Sequence, residues 1–204
     1  MMKVKHMQKL LGRKEKMILE ALEKAGYEAY FVGGCVRDAL MGRESGDADV
    51  TTDALPQQVK EVFAGFNVIE TGIKHGTVTV ILPAEGCDEQ DVPVEITTYR
   101  SDGTYSDSRH PDRVEFVRSL EEDLARRDFT VNAMACSIRG ELIDPYGGQE
   151  DLAAKKLRTV GDPDKRFRED ALRIMRGLRF GSVLDFEIEH SDAILYSFHP
   201  GTMG

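Results

Sequence analysis

Two aspartates one residue apart, Asp47 and Asp49, close the stretch "GGCVRDALMGRESGDADVTT", which runs from Gly33 to Thr52 and opens on two glycines and an arginine. In "DADVTT" Asp, Val and Thr alternate with a period of two, which predicts a strand, and on a strand residues i and i+2 point the same way. Two carboxylates then project side by side, and unpaired they repel each other and raise one pKa. Hard divalent cations relieve that repulsion, and Mg²⁺ prefers one or two protein carboxylates completed by phosphate oxygens and water. This is the arrangement of two-metal phosphoryl transfer. An acidic turn after Gly46 is the other reading of the same residues.

Gly33 and Gly34 follow the apolar run "YFV" and precede a predicted short helix, Val36 to Met41. Glycine at such a junction lets backbone N–H groups approach a phosphate, and a helix N-terminus favours the anion. Arg37 falls in the first turn of that helix, where positive charge is unfavourable unless an anion is near. Its partner is either a phosphate or a neighbouring acid. The glycine turn and the acid pair are separated by about ten residues of helix and turn, so both come to the same end of adjacent strands. Glu95 in "VEITT" completes a carboxylate triad if its strand lies beside the Asp49 strand; otherwise it is a solvent-facing glutamate. "ARRDFTVNAM" brings Arg126, Arg127 and Asp128 together before an apolar run. Two arginines there can clamp a triphosphate or a ribose with Asp128 orienting one of them, or they can form a solvated helix end.

The third set lies on "REDALRIMRGLRFG", which reads as one strong helix stopped by Gly181. Asp170 and Arg173 stand three residues apart and so neighbour each other on one face, and Arg176 and Arg179 continue the step. Leu172, Ile174, Met175, Leu178 and Phe180 fill the remaining directions as core. An Asp beside an Arg offers acceptors next to planar donors, which can read a base edge while the later arginines meet phosphate. A salt-bridged surface helix is the alternative.

The elements that must hold these residues follow from periodicity. Residues 13–25 read as an amphipathic helix, with Met17, Ile18, Leu22 and Ala25 on one side and Gly26 as its stop. "PQQVKEVFAGF" reads as a helix begun by Pro56, "TVTVIL" and "VPVEITTY" as strands. "SLEED" carries a capping-box pattern, Ser119 with Glu122, that starts a helix. "DPYGGQEDLAAKKL" is a turn followed by a helix. Strands dominate the middle and helices close the chain, which is α/β for most of its length with a helical element after about residue 155.

The chain has 204 residues with 41% hydrophobic composition, enough for one large domain or one domain and a fragment of another. No apolar run approaches the ~20 residues of a membrane span, and the N-terminus lacks the apolar core of a secretory signal; the expected location is cytoplasmic. Cys35, Cys87 and Cys136 form no close pair, which reads as reduced, buried thiols without zinc. The net charge of −9 argues against a nucleic-acid binder. It is unevenly spread: residues 81–124 hold twelve acids and four arginines, whereas residues 155–180 hold nine bases and four acids. That asymmetry leaves room for a local anionic partner.

In this order the motifs "YFVGGCVRDALMGRESGDADVTT", "KHGTV", "VEITTYRSDGTYSDSRHPDRVEFV", "SLEEDLARRDFTVNAMA", "IDPYGGQEDL" and "RTVGDPDKRFREDALRIMRGLRF" closely resemble the tRNA nucleotidyltransferases that add CCA to tRNA 3′ ends, and the bacterial poly(A) polymerases. Both belong to the class II branch of the polymerase-β-like nucleotidyltransferase superfamily. The resemblance implies an α/β (α+β) head with a mixed sheet flanked by helices, over residues 1–155. It implies the beginning of an all-helical neck, truncated, over 156–204. It implies that Asp47 and Asp49 hold two Mg²⁺ ions with Glu95 as a supporting carboxylate, and that Gly33, Gly34 and Arg37 contact the incoming triphosphate. Arg126, Arg127 and Asp128 would contact the nucleotide, with the motif helping to select ribose. Asp170 and Arg173 would hydrogen-bond the base of CTP or ATP, and Arg176 and Arg179 match further nucleotide contacts. The 3′-hydroxyl of tRNA then attacks the α-phosphate and pyrophosphate leaves. The segment from Arg100 to Arg113, with Arg109, His110 and Arg113, resembles the family's flexible loop that changes specificity between C and A. Family members are about twice as long, so a fragment or truncated product with weakened tRNA binding is expected. The alternatives are a poly(A) polymerase or A-adding enzyme, and a head that binds nucleotide without turnover.

Overall fold

In the computed structural model the described residues are 14–44, 47–84, 86, 90–102 and 114–189. Arg109, His110 and Arg113, and everything from residue 190 onward, lie outside them. The first helix, α1 (Lys16–Lys24), buries Ile18, Leu19 and Leu22 against the sheet and ends before Gly26, whose φ of 91° suits glycine.

A seven-stranded mixed sheet forms the centre. Its strands are β1 (Ala29–Val32), β2 (Asp49–Thr52), β3 (Asn67–Ile69), β4 (Thr77–Leu82), β5 (Val92–Thr98), β8 (Ala135–Cys136) and β9 (Leu142–Ile143). They lie in the order β3-β4-β5-β2-β1-β8-β9. All neighbours pair antiparallel except β2 and β5, which run parallel. A separate antiparallel ribbon, β6 (Arg100–Asp102) with β7 (Val114–Phe116), leaves the end of β5.

Helices α2 (Gly34–Leu40) and α3 (Pro56–Val62) connect the first strands. Pro56 opens α3, and the Gln58 side chain accepts the Leu55 N–H at 2.8 Å, so that helix starts where its sequence says. The side chains of α1 to α3 and one sheet face close the main core, in which Phe31, Val80, Ile96 and Phe63 are buried.

The chain continues through α4 (Leu120–Ala125), whose Ser119 Oγ accepts the Glu122 N–H at 3.4 Å, and α5 (Gly148–Ala154). It ends in α6 (Pro163–Glu169) and α7 (Leu172–Leu184), with the parallel pair β10 (Lys156–Leu157) and β11 (Glu187–Ile188) folding the end of α7 back. A second cluster under this region packs Phe129, Val131, Leu157, Leu184 and Phe186.

Five expectations need correction. The helix after the glycines runs Gly34–Leu40, two residues earlier than Val36 to Met41, because Gly33 makes the turn alone. In a helix this short Arg37 lies in the last turn, where its charge suits the helix dipole. "REDALRIMRGLRFG" is two helices broken at Asp170, which is extended (φ −144°, ψ 105°) and caps α7 by accepting the Leu172 N–H at 2.9 Å. Gly181 does not stop α7, which continues to Leu184 and ends on Asp185 at φ 58°; a side chain at 181 would press on Ile188 at 3.4 Å. Leu172, Met175 and Leu178 are not core. They are 46%, 55% and 47% exposed, because the helix turns the face bearing Arg173 and Gly177 inward instead.

Candidate active site

The sheet order brings the acids together. Asp49 opens β2 and pairs with Val32 at the end of β1 on one side and with Glu95 of β5 on the other. Because β2 and β5 run parallel and in register here, the two carboxylates leave the same edge position of neighbouring strands. Asp47 precedes the strand, yet the alternation holds: Asp47 and Asp49 are exposed while Ala48 and Val50 are buried. The pleat therefore sends Asp47, Asp49 and Glu95 outward and anchors the residues between them. Asp49 reaches solvent from a partly enclosed recess. Desolvation there, then the charges of Glu95 and Asp47, push its pKa above the ordinary carboxylate range, against the opposing pull of Arg127.

Gly33 ties the glycine turn to this edge. At φ 77° and ψ −131° it holds a conformation that side-chain-bearing residues rarely adopt. A Cβ placed there would lie 3.3 Å from Arg127 Nη1 and 4.0 Å from Asp49 Oδ2. The glycine turn, Arg127 of the first arginine-rich motif and Asp49 thus meet at one place. Gly34 stands near Arg37, whose Nη2 would be 3.6 Å from a Cβ at that position.

Arg37 takes the second of its two expected partnerships. Its guanidinium is buried, donates to Asn132 Oδ1 at 2.7 Å, pairs with Asp38 at 2.8 Å and lies over the Phe180 ring at 5.3 Å. Its donors are committed within the protein, and it braces the wall behind Gly34.

Arg126, Arg127 and Asp128 diverge. Asp128 is buried, accepts the Asn132 amide at 3.3 Å, and pairs with Arg176 at 2.7 Å. Arg126 and Arg127 both turn to Asp123, which motif reading passed over. Arg126 Nη2 lies 2.9 Å and Arg127 Nη2 3.3 Å from its carboxylate. Asp123 is fully buried, and burial opposes its charge. The guanidiniums of Arg126 and Arg127, with hydrogen bonds from Arg126 and the Arg100 backbone, outweigh that and hold its pKa below the ordinary carboxylate value. The signal was present: Asp123 stands at i−3 and i−4 from the two arginines, the spacing of helical ion pairs. The contacts of Asn132 and Phe180 with Arg37 had no such signal, because Arg37 lies 95 residues before Asn132 and farther still before Phe180.

The two last helices grip this motif from behind. Arg173 is buried, donates to the Arg126 carbonyl at 3.1 Å and pairs with Glu169 at 2.8 Å. Arg166 donates to the Ala125 carbonyl at 2.8 Å. The Arg173 N–H reaches the Asp170 carbonyl at 3.0 Å, so the pair stays adjacent across the helix break. Arg176 lies over the Phe180 ring at 5.5 Å, as Arg37 does at 5.3 Å, and Arg179 is exposed.

Among the described residues no three or more His, Cys, Asp or Glu side chains form a self-contained metal cage. Outward-facing carboxylates, with the Asp49 pKa raised first by desolvation and then by its acidic neighbours, instead fit a Mg²⁺ ion that draws its remaining ligands from phosphate and water.

Residues 29–158 match the family model described as the poly A polymerase head domain. The chain is 49% identical over 184 residues to a CCA-adding enzyme of Enterococcus faecalis, covering 90% of this chain and 43% of the relative. It is 53% identical over 171 residues to one of Geobacillus thermodenitrificans, covering 84% and 40%. Among solved structures, the CCA-adding enzyme of Bacillus stearothermophilus in complex with CTP superposes with a TM-score of 0.76 at 47% identity, covering 88% of this chain and 41% of that one. A tRNA nucleotidyltransferase complexed with a primer tRNA and an incoming ATP analog superposes at 0.66 with 34% identity, covering 88% and 48%. The chain spans less than half the length of these relatives, and the mixed sheet flanked by helices is the fold it shares with them. The sequence match and the superposition agree on one conclusion: this chain belongs to the poly A polymerase head domain family.

Proposed function

We propose that the chain is the nucleotidyltransferase head of a CCA-adding enzyme, which joins CMP and AMP from CTP and ATP to a tRNA 3′ end with release of pyrophosphate. The observation that carries this reading is the close approach of Gly33, Asp49 and Arg127, with Glu95 in register beside Asp49. A backbone free of side chain, a cation and a carboxylate set stand together there, the groups that a triphosphate and its metal ions call for. The names of the relatives supply the acceptor.

Two Mg²⁺ ions held by Asp47 and Asp49 would lower the pKa of the attacking 3′-hydroxyl and neutralise the leaving pyrophosphate. Glu95 supports Asp49 from the neighbouring strand and keeps the edge anionic. Gly33 and Gly34 let the backbone approach the phosphates, and Arg37, fixed by Asn132 and Asp38, holds that wall rigid. Arg127 offers its free donors to the nucleotide, with Arg126 and Asp128 locking the segment on either side. Asp170 and Arg173 read the base edge. The hydrogen bond from Arg173 to the Arg126 carbonyl fixes the distance between base reader and phosphate site, which allows protein rather than a template to choose the nucleotide. Arg176 and Arg179 extend the cationic side. Residues 1–155 would be the head and 156–204 the beginning of the helical neck.

No helix among the described residues is long and apolar enough to cross a membrane; tRNA and nucleoside triphosphates as substrates point to the cytoplasm. A-tailing is the second reading, favoured by the poly A polymerase description of the matching family model. Radiolabelled CTP and ATP, offered with tRNAs ending before CCA, at CC, or with an unrelated RNA, separate the two. Incorporation of both C and A on tRNA alone supports CCA addition, and A-tails on every RNA overturn it.

A further inference from the structure

We propose that Asp123 is a positioning residue for nucleotide binding: it anchors one edge of the Arg127 guanidinium and so turns the other edge toward Gly33 and Asp49. This deepens, and rests on, the reading of Arg127 as a nucleotide contact.

The Asp123 carboxylate is fully buried, and it takes donors from three separate parts of the chain. Its Oδ1 accepts from Arg126 Nε at 3.0 Å and from the Arg100 N–H, where the β6–β7 ribbon begins, at 3.4 Å. Its Oδ2 accepts from Arg127 Nη2 at 3.3 Å and from Thr51 Oγ1 at 3.2 Å. Thr51 lies two residues along β2 from Asp49 and points to the opposite side of that strand from its buried neighbours Val50 and Thr52. One carboxylate therefore ties the strand that carries the acid pair to the segment that carries the arginines.

Arg127 is left asymmetric by this arrangement. Asp123 is the hydrogen-bond acceptor its side chain meets among the described residues. Its Nε is buried without a hydrogen-bond partner, while Nη1 lies against Gly33, 3.3 Å from where a Cβ there would stand. A guanidinium carries five donors in a fixed planar fork, so holding one Nη fixes the direction of the rest. An ion pair with a purely structural role would close those donors within the protein. Here the closest contacts of Asp123 go to Arg126, and Arg127 keeps donors for a group that arrives from outside. A triphosphate oxygen or a ribose hydroxyl fits that position.

Binding of ATP and CTP to the 204-residue chain, in EDTA and in Mg²⁺, tests this with Asp123→Asn, Arg127→Ala and the double variant. Arg127→Ala weakens binding about tenfold, the scale of one lost charge-assisted hydrogen bond. Asp123→Asn, folded by circular dichroism, weakens it to a similar degree, and the double variant binds no worse than Arg127→Ala alone. Contacts that act through each other are non-additive in this way. Thr51→Val removes one donor to the same Oδ2 and weakens binding two- to threefold, an effect that vanishes in the Arg127→Ala background; it decides the matter if Asp123→Asn does not fold. Wild-type affinity in folded Asp123→Asn, or losses that multiply in the double variant, overturn the inference and leave the nucleotide site standing. Wild-type affinity in Arg127→Ala overturns the nucleotide reading of Arg127 and this inference with it.

Discussion

Asp49 and Asp123 sit on neighbouring parts of one site and are treated in opposite ways. Asp49 stands at a strand edge beside two further acids, and desolvation with their repulsion pushes its pKa up. Asp123 is sealed in the interior, where burial opposes its charge, yet two guanidiniums and a backbone N–H hold its pKa down. The first arrangement costs stability when no cation is present; the second contributes it. Frustrated charge at the surface marks the group left open for a ligand, and satisfied charge in the interior marks the group that aims its neighbours. Arg127 belongs to both, since it pairs with Asp123 and lowers the Asp49 pKa.

The largest break in that contrast comes from the acid edge. Asp47→Ala with Asp49→Ala should lower nucleotide transfer by on the order of 10²–10³-fold, while the melting temperature in EDTA does not fall; calorimetry beside a transfer assay reads both. Asp123→Ala should differ by costing stability as well, about 3 kcal/mol by urea unfolding, because it leaves Arg126 and Arg127 without their buried counter-charge. Arg176→Ala opens a half-exposed pair with Asp128, and its cost in the same measurement should stay below about 1 kcal/mol.

The smallest effect is a difference in pH profile. The folded pKa of Asp123 lies below its unfolded value, so its stabilisation is present above the unfolded value of about 3.9 and is lost as pH falls through the folded one. Asp49 has the opposite sign. Its folded state binds the proton more tightly, so stability declines as pH rises from about 3.9 through the raised folded pKa. Without metal, Asp49→Asn should flatten that decline and leave the acid limb due to Asp123 unchanged, as urea midpoints across pH will show.

Local patterns were legible wherever a residue's role depends on its near neighbours. The period-two alternation around Asp49, Pro56 at the start of α3 and Ser119 at the cap of α4 all act over a few residues, and each is where the periodicity and capping rules put it. Glu95 was legible only as a condition, because a parallel pairing across 46 residues leaves no mark in either segment. The helix through Asp170 was misread because Asp suits both a helical ion pair and an N-cap, and the cap prevailed. Leu172, Met175 and Leu178 follow a helical period, but the period cannot say which face turns inward. Arg173 and Gly177 took that place by packing against the arginine motif. The pairing of Asp123 was legible in its spacing from Arg126 and Arg127, but its burial was not: beside Glu121 and Glu122 it looks solvated until the fold encloses it.

The most direct measurement is pyrophosphate release from CTP or ATP, titrated with Mg²⁺, on an RNA minihelix that ends before CCA. Wild-type chain should release pyrophosphate in proportion to bound Mg²⁺, and Asp47→Ala with Asp49→Ala should fall to background. Full Mg²⁺-dependent release by that variant would contradict the assignment of the acid edge.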